Sequence, residues 1–163
     1  MATTNLIQYL NKTGVPFELL SHVPAFSAHD VAAATHVPDK ELAKTIIIRA
    51  DESKWMAVLP ADYRLNDHLL KRALGVKHVH FIQEEELTKL FPDCEVGAMP
   101  PLGNLYSMQV IVDESITHDE EIVFNACTHT ESIKMKFKDF ENLVKPRVAH
   151  IAESSHSAED REW

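Results

Sequence analysis

Residues 44–49 read KTIIIR, and a second apolar run, WMAVL, follows at residues 55–59 across a short polar turn. β-branched residues favour strands, and two such runs joined by a polar turn are typical of an antiparallel hairpin. Alternation along the first run places Lys44, Ile46 and Ile48 on one face. The sequence thus predicts a central hairpin that carries Lys44 at the rim of the core, where an ammonium on an apolar stem can point into a cleft.

The segments around this hairpin alternate between helix and strand patterns. Polar caps and helical spacing of apolar residues indicate helices that begin at Asn5, after Ser27, after Asn66, at residue 83 and after Asp139. Further strands are indicated at residues 15–20, 78–82, 106–112, 121–126 and 131–138. Gly14 and Gly75 are placed to end two of the helices in the left-handed conformation. The sequence therefore predicts a mixed α/β domain.

Length and charge limit what kind of protein this chain can be. At 163 residues it fits one domain, which we place at residues 1–153, followed by a flexible polar tail at residues 154–163. The net charge of −9 argues against a protein that grips long stretches of nucleic acid, so DNA is not an expected partner, whereas a narrow contact with a nucleic-acid end fits this charge. No stretch approaches the roughly 20 apolar residues of a membrane helix. We expect a cytoplasmic protein without a membrane partner.

The histidines and cysteines show no spacing that is typical of a metal site. Ten histidines are present without an HExxH pattern, and His78 and His80, which share a strand face, lack a third ligand nearby in sequence. Cys94 and Cys127 are the only cysteines and lack CxxC spacing. We therefore expect no metal and two reduced thiols.

Residues 97–103 read GAMPPLG and hold two of the four glycines and two of the eight prolines in the chain. Glycine lets backbone N–H groups approach a ligand and reach positive φ, while proline fixes φ for itself and restricts its predecessor. Two interpretations stay open at this point. The segment is either a rigid turn that leads into the next strand or a loop that presents its main chain to a ligand.

Four separated motifs occur in a fixed order along the chain, namely HVPAF at 22–26, LAKT at 42–45, GAMPPLGN at 97–104 and VFNACTHT at 123–130. In this order they resemble the YbaK family, single-domain relatives of the editing domain inserted in bacterial-type prolyl-tRNA synthetases. The resemblance covers nearly all of residues 15–151. It implies a mixed α/β domain with a central, partly barrel-like sheet surrounded by helices. The implied activity is hydrolysis, without a cofactor, of the ester that joins a wrong amino acid to the 3′ end of a tRNA.

The resemblance also implies which residues form the site. Lys44, Gly97 and His129 are the implied catalytic residues. The implied substrate-binding residues are His22, Phe26, Thr45, Met99, Pro100, Pro101, Gly103, Asn125, Cys127 and Thr128. Cys127 stands where the family pattern has glycine. A side chain at that position either strains a backbone of positive φ or narrows the pocket.

The chemistry of an aminoacyl ester fits this implied role. The ester is already activated, so an editing site mainly has to hold the carbonyl, admit a water and stabilise a developing oxyanion. The backbone N–H groups of Gly97 and its neighbours can stabilise the oxyanion, and Lys44 can anchor the terminal phosphate or sugar or favour the anionic transition state. These motifs contain no obvious general base. The resemblance suggests that the vicinal 2′-hydroxyl of the terminal ribose orients or activates the water.

Other interpretations of these residues stay open. A non-catalytic module that binds a tRNA end, a nucleotide or a protein would use the same pocket. Cys127 and His129 share a strand parity, so a thiol hydrolase is a further alternative. The basic face formed by Lys134, Lys136 and Lys138 is either a solvated surface or a contact for the acceptor stem. The partners we expect are the tRNA acceptor end and, transiently, the translation machinery.

Overall fold

The computed structural model describes residues 2–155, and it contains five helices and ten strands within that range. The helices are α1 (Ala2–Thr13), α2 (Ala28–Ala34), α3 (Asp67–Leu74), α4 (Glu84–Leu90) and α5 (Phe137–Val144). The strands are β1 (Glu18–Ser21), β2 (Ala43–Ala50), β3 (Ser53–Pro60), β4 (Tyr63–Leu65), β5 (Val79–Phe81), β6 (Gln109–Asp113), β7 (Glu121–Asn125), β8 (Glu131–Lys136), β9 (Arg147–Ala149) and β10 (Ala152–Ser154). The predicted mixed α/β class is confirmed.

The largest sheet has five strands in the order β5-β2-β3-β6-β9. The predicted central hairpin is correct, since β2 and β3 pair antiparallel with Lys44 opposite Leu59. β6 then runs parallel to β3, and β9 runs parallel to β6, so helices and loops must return the chain to the same end of the sheet. The short strands β4 and β10 form a separate antiparallel pair.

A second sheet of three antiparallel strands, in the order β1-β8-β7, packs against the first. A single parallel bridge between Leu42 and Val123 links the two sheets where β2 begins. Because this pairing is parallel, Lys44 lies level with Asn125, the last residue of β7. This link gives the sheet system its partly barrel-like form and brings the start of β2 to the end of β7.

Two main clusters of buried apolar side chains lie on the opposite faces of β2. Ala43 and Ile47 belong to a large cluster with residues of α1, β6, β7, β8 and α5. Ile48 belongs to a smaller cluster with Leu70 of α3, and Ile46 packs against it. Lys44 shares the parity of Ile46 and Ile48, as the strand pattern predicted, so its stem starts on the α3 side of the sheet.

Several predicted helix ends are confirmed by their contacts. The Ser27 side chain accepts a hydrogen bond from Asp30 N (3.1 Å), and Asn66 Oδ1 accepts one from Leu69 N (2.8 Å), as capping residues do. Gly75 ends α3 with φ 67°. Both helices α2 and α3 therefore begin directly after a residue whose side chain makes the hydrogen bond of a helix cap.

Other boundaries differ from the prediction. The first helix starts at Ala2, so Asn5 lies inside it and is not its cap. The last helix starts at Phe137 because the chain turns after β8, so Asp139 lies in its first turn. Strands β4, β9 and β10 were not predicted, since each is only three residues long and, unlike β5, lies outside a run of alternating apolar residues. Ser154, the expected first residue of the tail, pairs with Tyr63, and residues 156–163 of that tail lie outside the described residues.

A buried carboxylate fixes the last described segment to the central sheet. Asp113 is 1% exposed, and its Oδ1 accepts hydrogen bonds from Ile151 N and Ala152 N, both at 2.9 Å. Its Oδ2 accepts from the Ser115 backbone N–H (3.1 Å) and hydroxyl (2.5 Å). The end of β6 thereby holds β10 in place. Within residues 2–155, no helix combines the length and apolar character needed to cross a bilayer.

Candidate active site

Residues 125–130 form a tight turn between β7 and β8. Asn125 Nδ2 donates to Thr128 O (3.4 Å), and Thr128 Oγ1 donates to a carboxylate oxygen of Glu131 (3.3 Å). Cys127 adopts φ 71°, the left-handed conformation that glycine favours. Cys127 thus keeps the positive φ that a glycine at this position would allow, although it carries a side chain. Asn125 and Thr128 close the turn through their own contacts.

The segment that enters the GAMPPLG loop runs alongside this turn. Glu95 N donates to Cys127 O and Cys127 N donates to Ala98 O, both at 2.9 Å. The side chain of Glu95 also accepts a hydrogen bond from His129 N (2.6 Å). These three hydrogen bonds fix the loop and the turn to each other.

Gly97 is the exposed residue at the tip of this arrangement. It adopts φ 89°, and its N–H points to the thioether sulfur of Met99 at 3.3 Å. Sulfur is a weak hydrogen-bond acceptor, so the Gly97 N–H loses little when it exchanges Met99 Sδ for a stronger acceptor. The neighbouring Ala98 N–H, also expected to serve an oxyanion, is instead bonded to Glu95 O (3.0 Å). That part of the expectation was wrong, and Gly97 alone of the two has an N–H without a strong acceptor.

His129 lies directly beside Gly97. Its Nε2 is 3.0 Å from Val96 O, which can only accept, so the neutral ring carries its proton on Nε2. Its Nδ1 is then an acceptor, and it is buried without a hydrogen-bond partner among the described residues. A Cβ atom added to Gly97 would lie 3.6 Å from His129 Cε1. The ring therefore forms one wall next to the Gly97 amide.

Phe26 and His22 reach the same turn from the segment before α2. The Phe26 ring is 73% exposed, and its centroid lies 4.7 Å from that of His129. His22 donates through Nδ1 to Val23 O (2.8 Å), and its Nε2 contacts the hydroxyl of the buried Ser132 (2.9 Å). His22 thus supports the turn with both ring nitrogens occupied. Phe26 covers His129 and leaves most of its own surface free.

Lys44 lies in a separate polar environment at the start of β2. Its Nζ donates to Ala61 O (3.2 Å). Burial lowers the pKa of Lys44, the charge of Asp62 opposes this shift, and Arg64 adds to it. Lys44 is level with Asn125, whereas Gly97 and His129 contact each other directly beyond the end of β7. The adjacent Thr45 follows the opposite face of β2, and its buried hydroxyl lacks a partner among the described residues.

Four further predicted site residues belong to the buried part of the GAMPPLG loop. Met99, Pro100, Pro101 and Gly103 are buried, so in this structure they shape the loop from within. A Cβ atom on Gly103 would lie 2.0 Å from Met108 O, which makes this glycine a packing requirement. Glu95 and Val96, which hold His129, were not predicted. Their position immediately before Gly97 is the one signal in the sequence that could have pointed to them.

The two cysteines are bonded to each other, with Cα atoms 4.3 Å apart and a sequence separation of 33. The expectation of two reduced thiols is therefore wrong for this structure. Spacing could not indicate the pair, because the loop and the turn meet only through the fold. A thiolate nucleophile at Cys127 is incompatible with the bonded state, and Cys127 is also 1% exposed. Residues 2–155 contain no group of three potential ligands that could hold a metal ion.

A glycine N–H that lacks a strong acceptor, beside an imidazole ring on a mixed α/β scaffold, is available to an oxygen acceptor of a ligand. Residues 22–143 match the model of a known family, the aminoacyl-tRNA editing domain. The chain belongs to this family. The predicted resemblance to YbaK and the prolyl-tRNA synthetase-associated editing domains is thereby confirmed.

The individual relatives point the same way. A proline–tRNA ligase of Halalkalibacterium halodurans is 30% identical over 117 residues, which are 72% of this chain and 20% of the ligase. A proline–tRNA ligase of Bacillus cytotoxicus is 26% identical over 98 residues, which are 60% of this chain and 16% of that ligase. The chain thus spans a fifth or less of these two ligases.

Solved structures show the same fold over almost the whole chain. One of them is a protein proposed as a trans-editing enzyme for prolyl-tRNA synthetase, with a TM-score of 0.83 and 17% sequence identity. The likeness covers 94% of this chain and 98% of that one. At this level of identity the likeness establishes the fold alone.

Proposed function

We propose that this chain is an aminoacyl-tRNA deacylase that acts in trans on mischarged tRNA. The observation that carries the proposal is the N–H of Gly97, an exposed residue at positive φ, because its one acceptor is a thioether sulfur. A developing oxyanion is a far stronger acceptor than that sulfur. The amide therefore interacts more strongly with the transition state than with the ground state, which is what catalysis requires.

The reaction is hydrolysis of the ester between the amino acid and the 3′-terminal adenosine. Water attacks the carbonyl carbon, the carbonyl oxygen becomes an oxyanion that Gly97 N–H receives, and collapse of this intermediate expels the ribose oxygen. The products are the free amino acid and the intact tRNA. Because His129 Nδ1 is buried, the ring serves as a wall for the acyl group, and activation of the water falls to the vicinal 2′-hydroxyl of the substrate.

Lys44 supplies the positive charge for the tRNA end. Its backbone lies level with the end of β7, from which the turn of residues 125–130 starts, and its ammonium donates to Ala61 O. We assign it to the terminal phosphate or ribose, because a point charge on a flexible stem suits that contact. Phe26, with its exposed ring over His129, borders the acyl side. The relatives are proline–tRNA ligases, so tRNA for proline that carries another amino acid is the proposed substrate class, and the cytoplasm is the proposed site of action.

The test is release of labelled amino acid from a panel of mischarged proline tRNAs by the full chain. The Lys44→Ala variant should lose at least about 100-fold in kcat/KM, since it lacks a charge that contacts the reacting end. Lys54→Ala is the matched control, because Lys54 lies at the opposite end of the same hairpin in a half-exposed pair with Glu86. Equal rates for both variants would remove Lys44 from the mechanism.

A second experiment addresses the water. A substrate that ends in 2′-deoxyadenosine should be hydrolysed at least about 100-fold more slowly, because general acid–base assistance is worth about that much. Hydrolysis at the normal rate would rule out help from the 2′-hydroxyl. Tight binding of every tRNA in the panel without hydrolysis would identify the chain as a module that binds tRNA ends.

A further inference from the structure

The disulfide between Cys94 and Cys127 joins the two segments that carry the candidate active site. Cys94 lies three residues before Gly97, and Cys127 lies two residues before His129. The bond therefore cross-links the loop that presents the Gly97 amide to the turn that presents the imidazole. The only other covalent connection between the two cysteines is the polypeptide chain itself, in which they are 33 positions apart.

The two sulfur atoms lie under one aromatic side chain. The Tyr106 hydroxyl is 3.2 Å from Cys94 Sγ and 3.5 Å from Cys127 Sγ, and the Tyr106 ring packs on Phe91 at a centroid distance of 4.5 Å. Burial raises the pKa of Tyr106, so its hydroxyl remains a donor to sulfur. The Tyr106 side chain therefore packs against one side of the pair, and two unbonded sulfur atoms would have to move apart together with the segments that carry them.

The bonded state offsets a backbone cost at Cys127. A non-glycine residue in the left-handed conformation is strained, and Cys127 has φ 71° at a position where glycine would avoid that strain. The cross-link between the loop and the turn can offset this strain, because a disulfide stabilises the folded chain. A reduced cysteine at the same position keeps the strain without the cross-link.

Loss of the bond would loosen the site without unfolding it. Four hydrogen bonds still connect the loop and the turn: Glu95 N donates to Cys127 O, Cys127 N to Ala98 O, His129 N to the Glu95 carboxylate and His129 Nε2 to Val96 O. The reduced state would thus keep the loop near its place but free the segments to shift. A shift of this kind acts on the Gly97 amide and the His129 ring, which lie at the exposed end of both segments.

We propose that Cys94 and Cys127 form a thiol–disulfide switch that sets the geometry of the active site, with the bonded form the more active one. The inference rests on the proposed function, because deacylation is the activity that the switch adjusts. The oxidant is a low-molecular-weight disulfide. Two thiols of the protein and one small disulfide give the protein disulfide and two small thiols, so two electrons pass to the small molecule and both protons end on its thiols.

The accessible sulfur decides the order of these steps. Cys94 is half-buried, whereas Cys127 is 1% exposed. The Cys94 thiolate therefore attacks the small disulfide and releases one small thiol, and Cys127 then attacks Cys94 Sγ and releases the second. Excess small thiol reverses both steps, beginning at Cys94. In a compartment that keeps thiols reduced, a bond of this kind is transient and reports the redox state.

The test compares the full chain after treatment with dithiothreitol and after treatment with oxidised glutathione. Because the chain has two cysteines, maleimide labelling read by mass gives two labels for the reduced form and none for the oxidised form. The oxidised form should hydrolyse mischarged tRNA about 3- to 10-fold faster, since a small displacement of positioned groups costs rate on this scale or above it. Cys94→Ser should match the reduced wild type after either treatment. Cys127→Gly keeps Cys94, which oxidised glutathione can convert only to a mixed disulfide, so this variant should form no internal bond and should not become faster on oxidation.

A second measurement does not depend on activity. The backbone amide resonances of Gly97 and His129 in ¹⁵N NMR should differ between the two forms, while those of Gly75, in another part of the fold, should not. Three outcomes would each contradict the proposed switch. The resonances could coincide in the two forms, the wild type could take up two labels after oxidation, or its rates could be equal in both forms. If neither form hydrolyses any substrate, the proposed function fails, and the resonances alone then decide whether the pair changes the site.

Discussion

Replacement of Gly97 by alanine separates the role of this residue in catalysis from its role in folding. Gly97 has φ 89°, and the new Cβ would lie 3.6 Å from His129 Cε1, which is ordinary van der Waals contact. The free energy of unfolding should therefore fall only through the backbone strain of alanine at positive φ, by about 1–2 kcal/mol. For a chain of this length that cost corresponds to a fall in Tm of roughly 2–8 °C.

The effect on activity should be larger. The strain of Gly97→Ala turns the N–H away from the position that Met99 Sδ now marks. Complete loss of one oxyanion donor costs about 100- to 1000-fold in kcat, and a misdirected donor should cost about 10- to 100-fold. The change should fall on kcat, with KM nearly constant, because the oxyanion exists only in the transition state.

Gly75→Ala is the matched control for this experiment. Gly75 has φ 67° at the end of α3, and a Cβ atom there would meet nothing within 4 Å. The two variants therefore carry the same kind of backbone strain, one inside the site and one outside it. Thermal unfolding and single-turnover deacylation should give similar losses of stability but a loss of kcat only for Gly97→Ala. Equal kcat values would refute the assignment of the Gly97 amide to the oxyanion.

Three further predictions concern charged groups. Because burial lowers the pKa of Lys44, the rate that depends on its charge should fall, as pH rises, before an ordinary lysine would deprotonate, and subtraction of the Lys44→Ala profile isolates this part. Asp113→Ala should destabilise the chain by about 2–4 kcal/mol in urea unfolding, since it leaves buried donors at Ile151 and Ala152 unpaired, whereas Asp113→Asn, which keeps one acceptor oxygen, should cost less. Burial first, then the charge of Glu41, raises the pKa of Asp119 to about 6. The contribution of the protonated Asp119 to stability is therefore fully present below about pH 4 and is lost as the pH rises through 6. Asp119→Asn should raise Tm at pH 7.5 but not at pH 4.

Much of the fold could be predicted because its signals are local. The β2–β3 hairpin follows from β-branched runs around a polar turn, and α2 and α3 follow from caps that make their hydrogen bonds within three residues. The three-residue strands β4, β9 and β10 carry no such signal. They form because partners elsewhere in the fold supply their hydrogen bonds, as Asp113 does for the segment that enters β10.

In the candidate site, too, some features have a local signal in the sequence and others depend on the fold. Gly97 could be singled out from composition and motif order, because a glycine among prolines already restricts the backbone. What the sequence could not indicate is which amide is free, since that depends on Glu95 O accepting from Ala98 and leaving Gly97 with only a sulfur acceptor. Nor could it indicate the link between Cys94 and Cys127, because a distance of 33 residues becomes 4.3 Å between Cα atoms only when the loop and the turn share hydrogen bonds. The same hydrogen bonds that bring the cysteines together also align the Gly97 amide with the His129 ring, so any change in the cysteine pair acts on the two groups to which we assign the chemistry.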